Sequence, residues 1–150
     1  MTSYFSVRLA RPNDFDAWLP LWTGYNTFYQ RTLPIEITRI TWQRFFDHYE
    51  PMHCLVAEQD GRLLGLTHYL FHRNTTMINP TCYLQDLFTI AEARGKGVGR
   101  ALIEAVYGRA KEAGSPRVYW QTHETNSTAM LLYDRIGTRS GFLQYRKDLA

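Results

Sequence analysis

The sequence predicts an α/β fold: a single domain of 150 residues in which helices flank a mixed β-sheet. Three observations carry that expectation. Apolar runs at 54–58 and 63–71 flank Asp60-Gly61, a signal for a tight hairpin. A third run, 82–89, leads into an amphipathic pattern over 98–113 and then a strand-like stretch at 117–122. That succession is a β-α-β crossover, and crossovers of this kind join parallel strands. Between the third run and its helix lie Gly95, Gly97 and Gly99, at alternate positions in a loop.

The remaining elements follow in order. A short strand at 5–9 precedes Arg11-Pro12-Asn13-Asp14, where Asn13 or Asp14 can cap a helix. Phe15, Trp18, Leu19, Trp22 and Tyr25 then recur at helical spacing until Thr32-Leu33-Pro34 breaks the run. A second helix fits 36–49, with Ile37, Ile40, Phe45 and His48 near one face and Pro51 beyond its end. Asn79-Pro80 makes the turn into 82–89. In 98–113, Val98, Leu102, Val106 and Ala110 keep i, i+4 spacing, and Gly114 followed by Pro116 stops the helix. Asn126 or Ser127 caps a helix that runs through Ile136 to Gly137, and 141–147 is expected to form a last strand. The order is β-α-α-β-β-β-α-β-α-β.

Composition narrows the class. Apolar and charged fractions of 45% and 21% are those of an ordinary globular protein. A net charge of +3, spread along the chain, argues against nucleic acid as partner. No run approaches the 18 or so apolar residues of a membrane span, and Met1-Thr2-Ser3-Tyr4 carries no secretion pattern, so the expected location is cytoplasmic. Cys54 and Cys82 sit in apolar surroundings and read as buried free thiols. His68 and His72 share a strand face without a third ligand, and His53-Cys54 lacks metal spacing, so no metal is expected. Neither a Gly-x-Ser-x-Gly elbow nor an activated cysteine offers a covalent nucleophile.

The glycine loop reads Arg94-Gly95-Lys96-Gly97-Val98-Gly99-Arg100. Loops stripped of side chains let several backbone N–H groups converge on one anion, and the following helix adds its positive end. Two familiar phosphate loops fail on spacing. A P-loop would need glycine at Ile90 and a hydroxyl at Gly97, while the dinucleotide fingerprint counted from Gly95 or Gly97 ends on Arg100 or Leu102. Arg-x-x-Gly-x-Gly at Arg94, Gly97 and Gly99, after a strand and opening a helix, resembles the acyl-CoA pyrophosphate loop of the GCN5-related N-acetyltransferases. A plain glycine turn is the alternative. The element order above is also that of this family.

The resemblance implies acetyl-CoA as co-substrate. It implies that 94–100, Val98 included, hold the pyrophosphate, and that the backbone of Leu87, Phe88 and Thr89 bonds the pantetheine arm and polarises the thioester carbonyl. Acetyl transfer then needs a deprotonated amine, because a lysine-like amine has a pKa of about 10.4, and an acid for the departing thiolate. Tyr133 follows Asn126 by seven residues, a spacing that resembles the family's Asn-x-x-Ala-x-x-x-Tyr segment, in which the tyrosine lies near the coenzyme sulfur. A phenol of pKa about 10 can protonate a thiolate of pKa about 8.5. Helix packing is the competing reading of Tyr133, and helix capping that of Asn126, which the family reading assigns to the coenzyme.

Asp86 stands inside the apolar strand Tyr83-Leu84-Gln85-Asp86-Leu87-Phe88-Thr89, where a carboxylate is costly without a partner. An ammonium substrate is one partner; an arginine or backbone N–H groups are the other reading. Strand alternation puts Leu84, Asp86 and Phe88 on one side and Gln85, Leu87 and Thr89 on the other. Gln85 stands where polyamine acetyltransferases often carry glutamate. Tyr25, Phe28 and Tyr29 are candidate walls of an acceptor pocket, and His123, beside Glu124, is a candidate substrate ligand or a structural residue. The runs 119–126 and 140–145 resemble a branch that includes yeast histone- and D-amino-acid-acetylating enzymes. The expected function is transfer of acetyl from acetyl-CoA to a primary amine of a small molecule, by direct attack. A protein lysine acetyltransferase and a non-catalytic acyl-CoA-binding regulator are the alternatives. A homodimer through the edge of the last strand is an open option.

Overall fold

The computed structural model describes residues 4–150. Met1 to Ser3, read above for a secretion pattern, lie outside the described residues. Residues 4–120 and 121–150 form two compact units.

The first unit is built on one sheet in the order β1-β2-β3-β4-β5, with strands β1 (Ser6–Leu9), β2 (Met52–Gln59), β3 (Arg62–His72), β4 (Thr81–Thr89) and β5 (Val118–Tyr119). The first four pair antiparallel, and β5 runs parallel to β4 after the crossover helix. The β2–β3 hairpin turns at Asp60 and Gly61, both at positive φ, as the Asp-Gly signal requires. Helices α1 (Phe15–Phe28), α2 (Ile35–Arg44) and α3 (Val98–Glu112) accompany the sheet.

Strand alternation sends the two faces to different helices. Val56 and Leu66 pack with Trp18 of α1 in the aromatic core, while Gly65, next along β3, meets Val98 and Leu102 of α3. Trp18 has no exposed surface, and its ring lies 4.6 Å from Trp42 of α2 and 5.9 Å from Trp22. On the other face α3 buries Val98, Leu102, Ile103, Val106 and Ala110. The i, i+4 stripe read from the sequence is this face. Both cysteines are buried free thiols, as expected.

Several boundaries differ from the sequence reading, each for a local reason. Asp14 stands at the N-cap of α1 but its side chain does not cap that helix; its carboxylate binds Arg8 at 2.7 Å and accepts the Arg11 N–H at 2.7 Å, at the N-cap of the 3₁₀ turn Pro12–Asp14. Helix α2 ends at Arg44, five residues short of the expected end. Its last turn tightens to i→i+3 bonds, and Asp47 Oδ1 then accepts the Tyr49 N–H at 3.0 Å in an Asx turn. The strand expected at 117–122 reduces to Val118 and Tyr119, because only Cys82 and Tyr83 of β4 run beside it.

The second unit holds helix α4 (Ser127–Ile136). The strand expected at 141–147 is absent. Gly141 sits at φ +86°, no strand among the described residues pairs with the segment, and Phe142, Leu143 and Tyr145 are exposed. Aromatic and aliphatic residues there are compatible with a strand, but a ladder needs a neighbour. The segment therefore presents no formed strand edge of the kind a homodimer was expected to use.

Gly65 has no room for a side chain between β4 and α3. A methyl group there would lie 2.8 Å from the Phe88 carbonyl oxygen, 3.0 Å from Val98 and 3.1 Å from Leu102. Gly65→Ala is expected to destabilise the fold by about 1–3 kcal/mol, read as a lower midpoint in urea unfolding with an unchanged slope.

Candidate functional site

Two features of β4 prepare the site. Its pairing with β3 skips a residue: His68 stands opposite Asp86 and Tyr69 opposite Leu84, leaving Gln85 as a bulge. The extra residue breaks the simple alternation. Leu84 therefore faces away from Asp86, and not with it as the period-2 reading had it, because directly opposed residues share a side. Past Tyr83, β4 also has no strand partner on its β5 side. The backbone of Leu87, Phe88 and Thr89 thus lies on an edge free of ladder bonds on that side, where an extended ligand arm can add.

Asp86 is 8% exposed and held from inside the core. Trp18 of α1 donates its indole N–H to His68 Nε2 at 3.1 Å, and His68 Nδ1 lies 2.8 Å from Asp86 Oδ2. The Asp86 backbone carbonyl accepts the Thr67 hydroxyl at 2.8 Å. Tyr25 faces the same carboxylate. Burial, then the Asp86 charge and the hydrogen bond to it, push the Tyr25 phenol far above its ordinary value, so it stays a donor. The partner of Asp86 is neither the arginine nor the backbone N–H considered from sequence. Among the described residues it is a histidine from the neighbouring strand, with the Tyr25 phenol beside it. The signal lay in the sequence as two polar residues on adjacent apolar strands, but their pairing depends on a register shifted by the bulge.

Asp86 and Gln85 open onto a small cavity of about 120 Å³, whose walls include Trp22, Thr41, Phe45 and Tyr69. Asp86 is the only carboxylate in that lining. Sequence reasoning passed over Thr41 and Phe45 because α2 reads as a core helix. Tyr25 stacks on Trp22 at 5.3 Å behind the wall, while Tyr29 and Phe28 lie further out, 40% and 58% exposed. The Arg31 guanidinium lies over both Tyr25 and Tyr29, 5.6 and 5.4 Å from the ring centres, and Arg31 Nε donates to Asn26 Oδ1 at 3.2 Å. Arg31 was not singled out from sequence. Its position follows from the chain reversal after α1, where Gln30 takes φ +56°.

The glycine loop follows β4 directly. A 3₁₀ turn, Ala91–Ala93, leads to Arg94, and Gly95 and Gly97 adopt φ +76° and +83°. Nothing lies within 4 Å of a Cβ placed at either position, so backbone conformation and not crowding demands glycine. Gly97 is the N-cap of α3, which leaves the N–H groups of Val98, Gly99 and Arg100 without intrahelical acceptors. Exposed Arg94 and Lys96 flank them, while Arg100 donates to Glu104 at 2.8 Å, one turn on. The set fits a diphosphate: free N–H groups, a helix N-terminus and flanking cations.

Asn126, His123 and Tyr133 belong to the second unit. Asn126 is the N-cap of α4, but its side chain donates to Thr122 Oγ1 at 3.3 Å instead of capping. His123 Nδ1 lies 2.7 Å from Thr125 Oγ1 and accepts the Thr125 N–H at 3.2 Å, a local turn contact. Tyr133 lies within α4, two turns from Asn126.

The acetyltransferase (GNAT) family model matches residues 16–138. Among curated relatives, the D-amino-acid N-acetyltransferase HPA3 of Saccharomyces cerevisiae is 36% identical over 144 residues, covering 95% of this chain and 89% of its own. An uncharacterized N-acetyltransferase of Bacillus subtilis, YhfO, is 28% identical over 142 residues, covering 93% and 95%. Among solved structures, a probable acetyltransferase superposes with a TM-score of 0.86 at 23% identity, covering 97% of this chain and 98% of that one. The structure of AAC(6')-Iy in complex with a bisubstrate analogue of CoA and monomethyl-acetylneamine gives 0.82 at 18% identity, covering 98% and 100%.

The buried phenols around the cavity make a pH prediction. Burial raises Tyr69 to about 12, and Tyr25 goes up further in direction. The folded chain holds these protons more tightly than the unfolded chain, so both cost stability once pH passes the ordinary phenol value of about 10. Absorbance titration should find two tyrosines that ionise last, and the urea midpoint should fall steadily from about pH 10 toward 12.

Proposed function

The chain belongs to the GNAT family of acetyltransferases, and on that premise we propose that it moves an acetyl group from acetyl-CoA to the primary amine of a small molecule. The observation that carries the acceptor side is Asp86, a buried carboxylate held by neutral donors at the wall of a small, aromatic-lined cavity. A lone anion there attracts an ammonium and can take its proton, directly or through water. The freed amine attacks the thioester carbonyl, so the C–N bond forms as the C–S bond breaks, giving an amide and a thiol. Leu87, Phe88 and Thr89 offer the pantetheine arm a free strand edge, and Arg94 to Arg100 with Asn126 are assigned to the coenzyme. Tyr133 is assigned the proton for the thiolate, on the Asn126-to-Tyr133 spacing.

A cavity of this size favours a small acceptor over a protein lysine on its backbone. Arg31 sharpens the class further. Tyr25, behind the Trp22 wall, meets Asp86 through its hydroxyl and carries Arg31 over its ring, so a cation stands on the far side of the aromatic cluster that holds the anion. That pairing suits an acceptor that bears a carboxylate as well as an amine. The yeast relative named for D-amino acids takes acceptors of that kind.

Thiol release measured over a panel of amines tests the reading. Turnover should require an amine, and Tyr133→Phe should lower kcat on the order of a hundredfold with coenzyme KM unchanged. Asp86→Asn should lower kcat/KM for the amine by a similar factor. Tight coenzyme binding with no amine-dependent thiol release would establish the non-catalytic regulator instead. Arg31→Gln should raise KM for amino acids about tenfold and leave the matching amino alcohols unmoved; an equal rise for both removes the carboxylate role.

A further inference from the structure

The hydrogen bonds behind Asp86 admit one protonation form of His68. An indole nitrogen only donates, so Trp18 Nε1 at 3.1 Å requires a lone pair on His68 Nε2. The ring proton must then sit on Nδ1, where it points at Asp86 Oδ2 across 2.8 Å. The opposite tautomer sets two N–H groups against each other at Trp18 and a bare nitrogen against a carboxylate. The imidazolium repairs the second contact and still fails the first. Trp18 cannot turn aside, since it is wholly buried and packed on Trp42 at 4.6 Å and Phe15 at 5.9 Å. His68 is itself only 4% exposed, with Phe45 and Trp22 rings 4.7 and 5.0 Å away.

We propose that His68 is a positioning residue for the acceptor amine: fixed by Trp18 as the Nδ1–H tautomer, it holds the Asp86 carboxylate at the cavity wall as an acceptor only. The proposal rests on the reading of Asp86 as the group that meets the amine. It also sets the direction of proton traffic. His68 has no vacant site for the proton released by the acceptor ammonium, because Nδ1 already bears hydrogen and the Nε2 lone pair is engaged. That proton leaves from Asp86 or water on the cavity side and does not enter the core. The order is the reverse of a catalytic triad, in which the histidine takes the proton and the carboxylate stands behind it.

Two measurements on the full chain test this. With ¹⁵N-labelled histidine, the ring signal that disappears in His68→Asn should show a protonated Nδ1 and a bare Nε2 in the folded wild-type protein. Trp18→Phe should release the ring to other forms. In kinetics, His68→Leu should raise acceptor KM on the order of tenfold to a hundredfold and leave coenzyme KM unchanged. His68→Asn, whose amide N–H replaces the Nδ1 donor, should recover most of that loss. An Nε2–H ring or an imidazolium at that signal in the wild type overturns the proposal whatever the kinetics of the variants. Equal losses in the Leu and Asn variants overturn it as well, since packing alone would explain them. Unaltered acceptor kinetics in Asp86→Asn, with the Nδ1–H ring still observed, overturn instead the reading of Asp86.

Discussion

A line of hydrogen bonds from Trp18 through His68 to Asp86 ties α1, β3 and β4 together at the bottom of the candidate site. Each member is nearly or fully buried, so none of its polar atoms can be left to water without cost. The line therefore constrains more than its own residues. It requires α1 to approach the sheet closely enough for an indole to reach β3, and it requires β3 and β4 to be in the one register that opposes His68 to Asp86. The bulge at Gln85 supplies that register.

The same packing that satisfies the line shapes the cavity. Trp22, one turn beyond Trp18, presents its ring to His68 and to Tyr25, while α2 brings Thr41 and Phe45 to the opposite wall. Close helix approach is visible again at Gly24, where an added methyl group would lie 2.9 Å from the Phe88 ring. A side chain at that point would have to displace the Phe88 ring. The aromatic content of the first helices thus serves as core and as cavity wall at once. No lysine or arginine stands in the lining to compete with a cationic ligand for that carboxylate.

The donor and acceptor halves of the site differ in how they were legible. The glycine loop is local: Gly95 and Gly97 adopt the positive φ that the pattern demands, directly before a helix, and no distant residue is needed to produce that geometry. The same holds for the α3 stripe and the Asp60-Gly61 hairpin. Asp86 was conspicuous as a charge in an apolar strand, yet its partner was misjudged, because His68 is eighteen residues away and becomes a neighbour only through strand pairing. Arg31 carried no signal at all. An arginine after a helix is ordinary in sequence, and its place over Tyr25 and Tyr29 arises from how the chain turns.

Sequence alone therefore determined most of the elements, the family resemblance and the conformation of the glycine loop, since these rest on periodicity, turn chemistry and φ requirements that act over a few residues. It overreached where an element needs a partner, as at 141–147 and at the far end of β5. Tertiary structure decided the register of β3 on β4, the bulge that turns Leu84 from Asp86, and the tautomer that Trp18 imposes on His68. These depend on which groups meet across the fold. A buried polar group takes whatever partner the packing brings within hydrogen-bond reach, and no spacing along the chain encodes that distance.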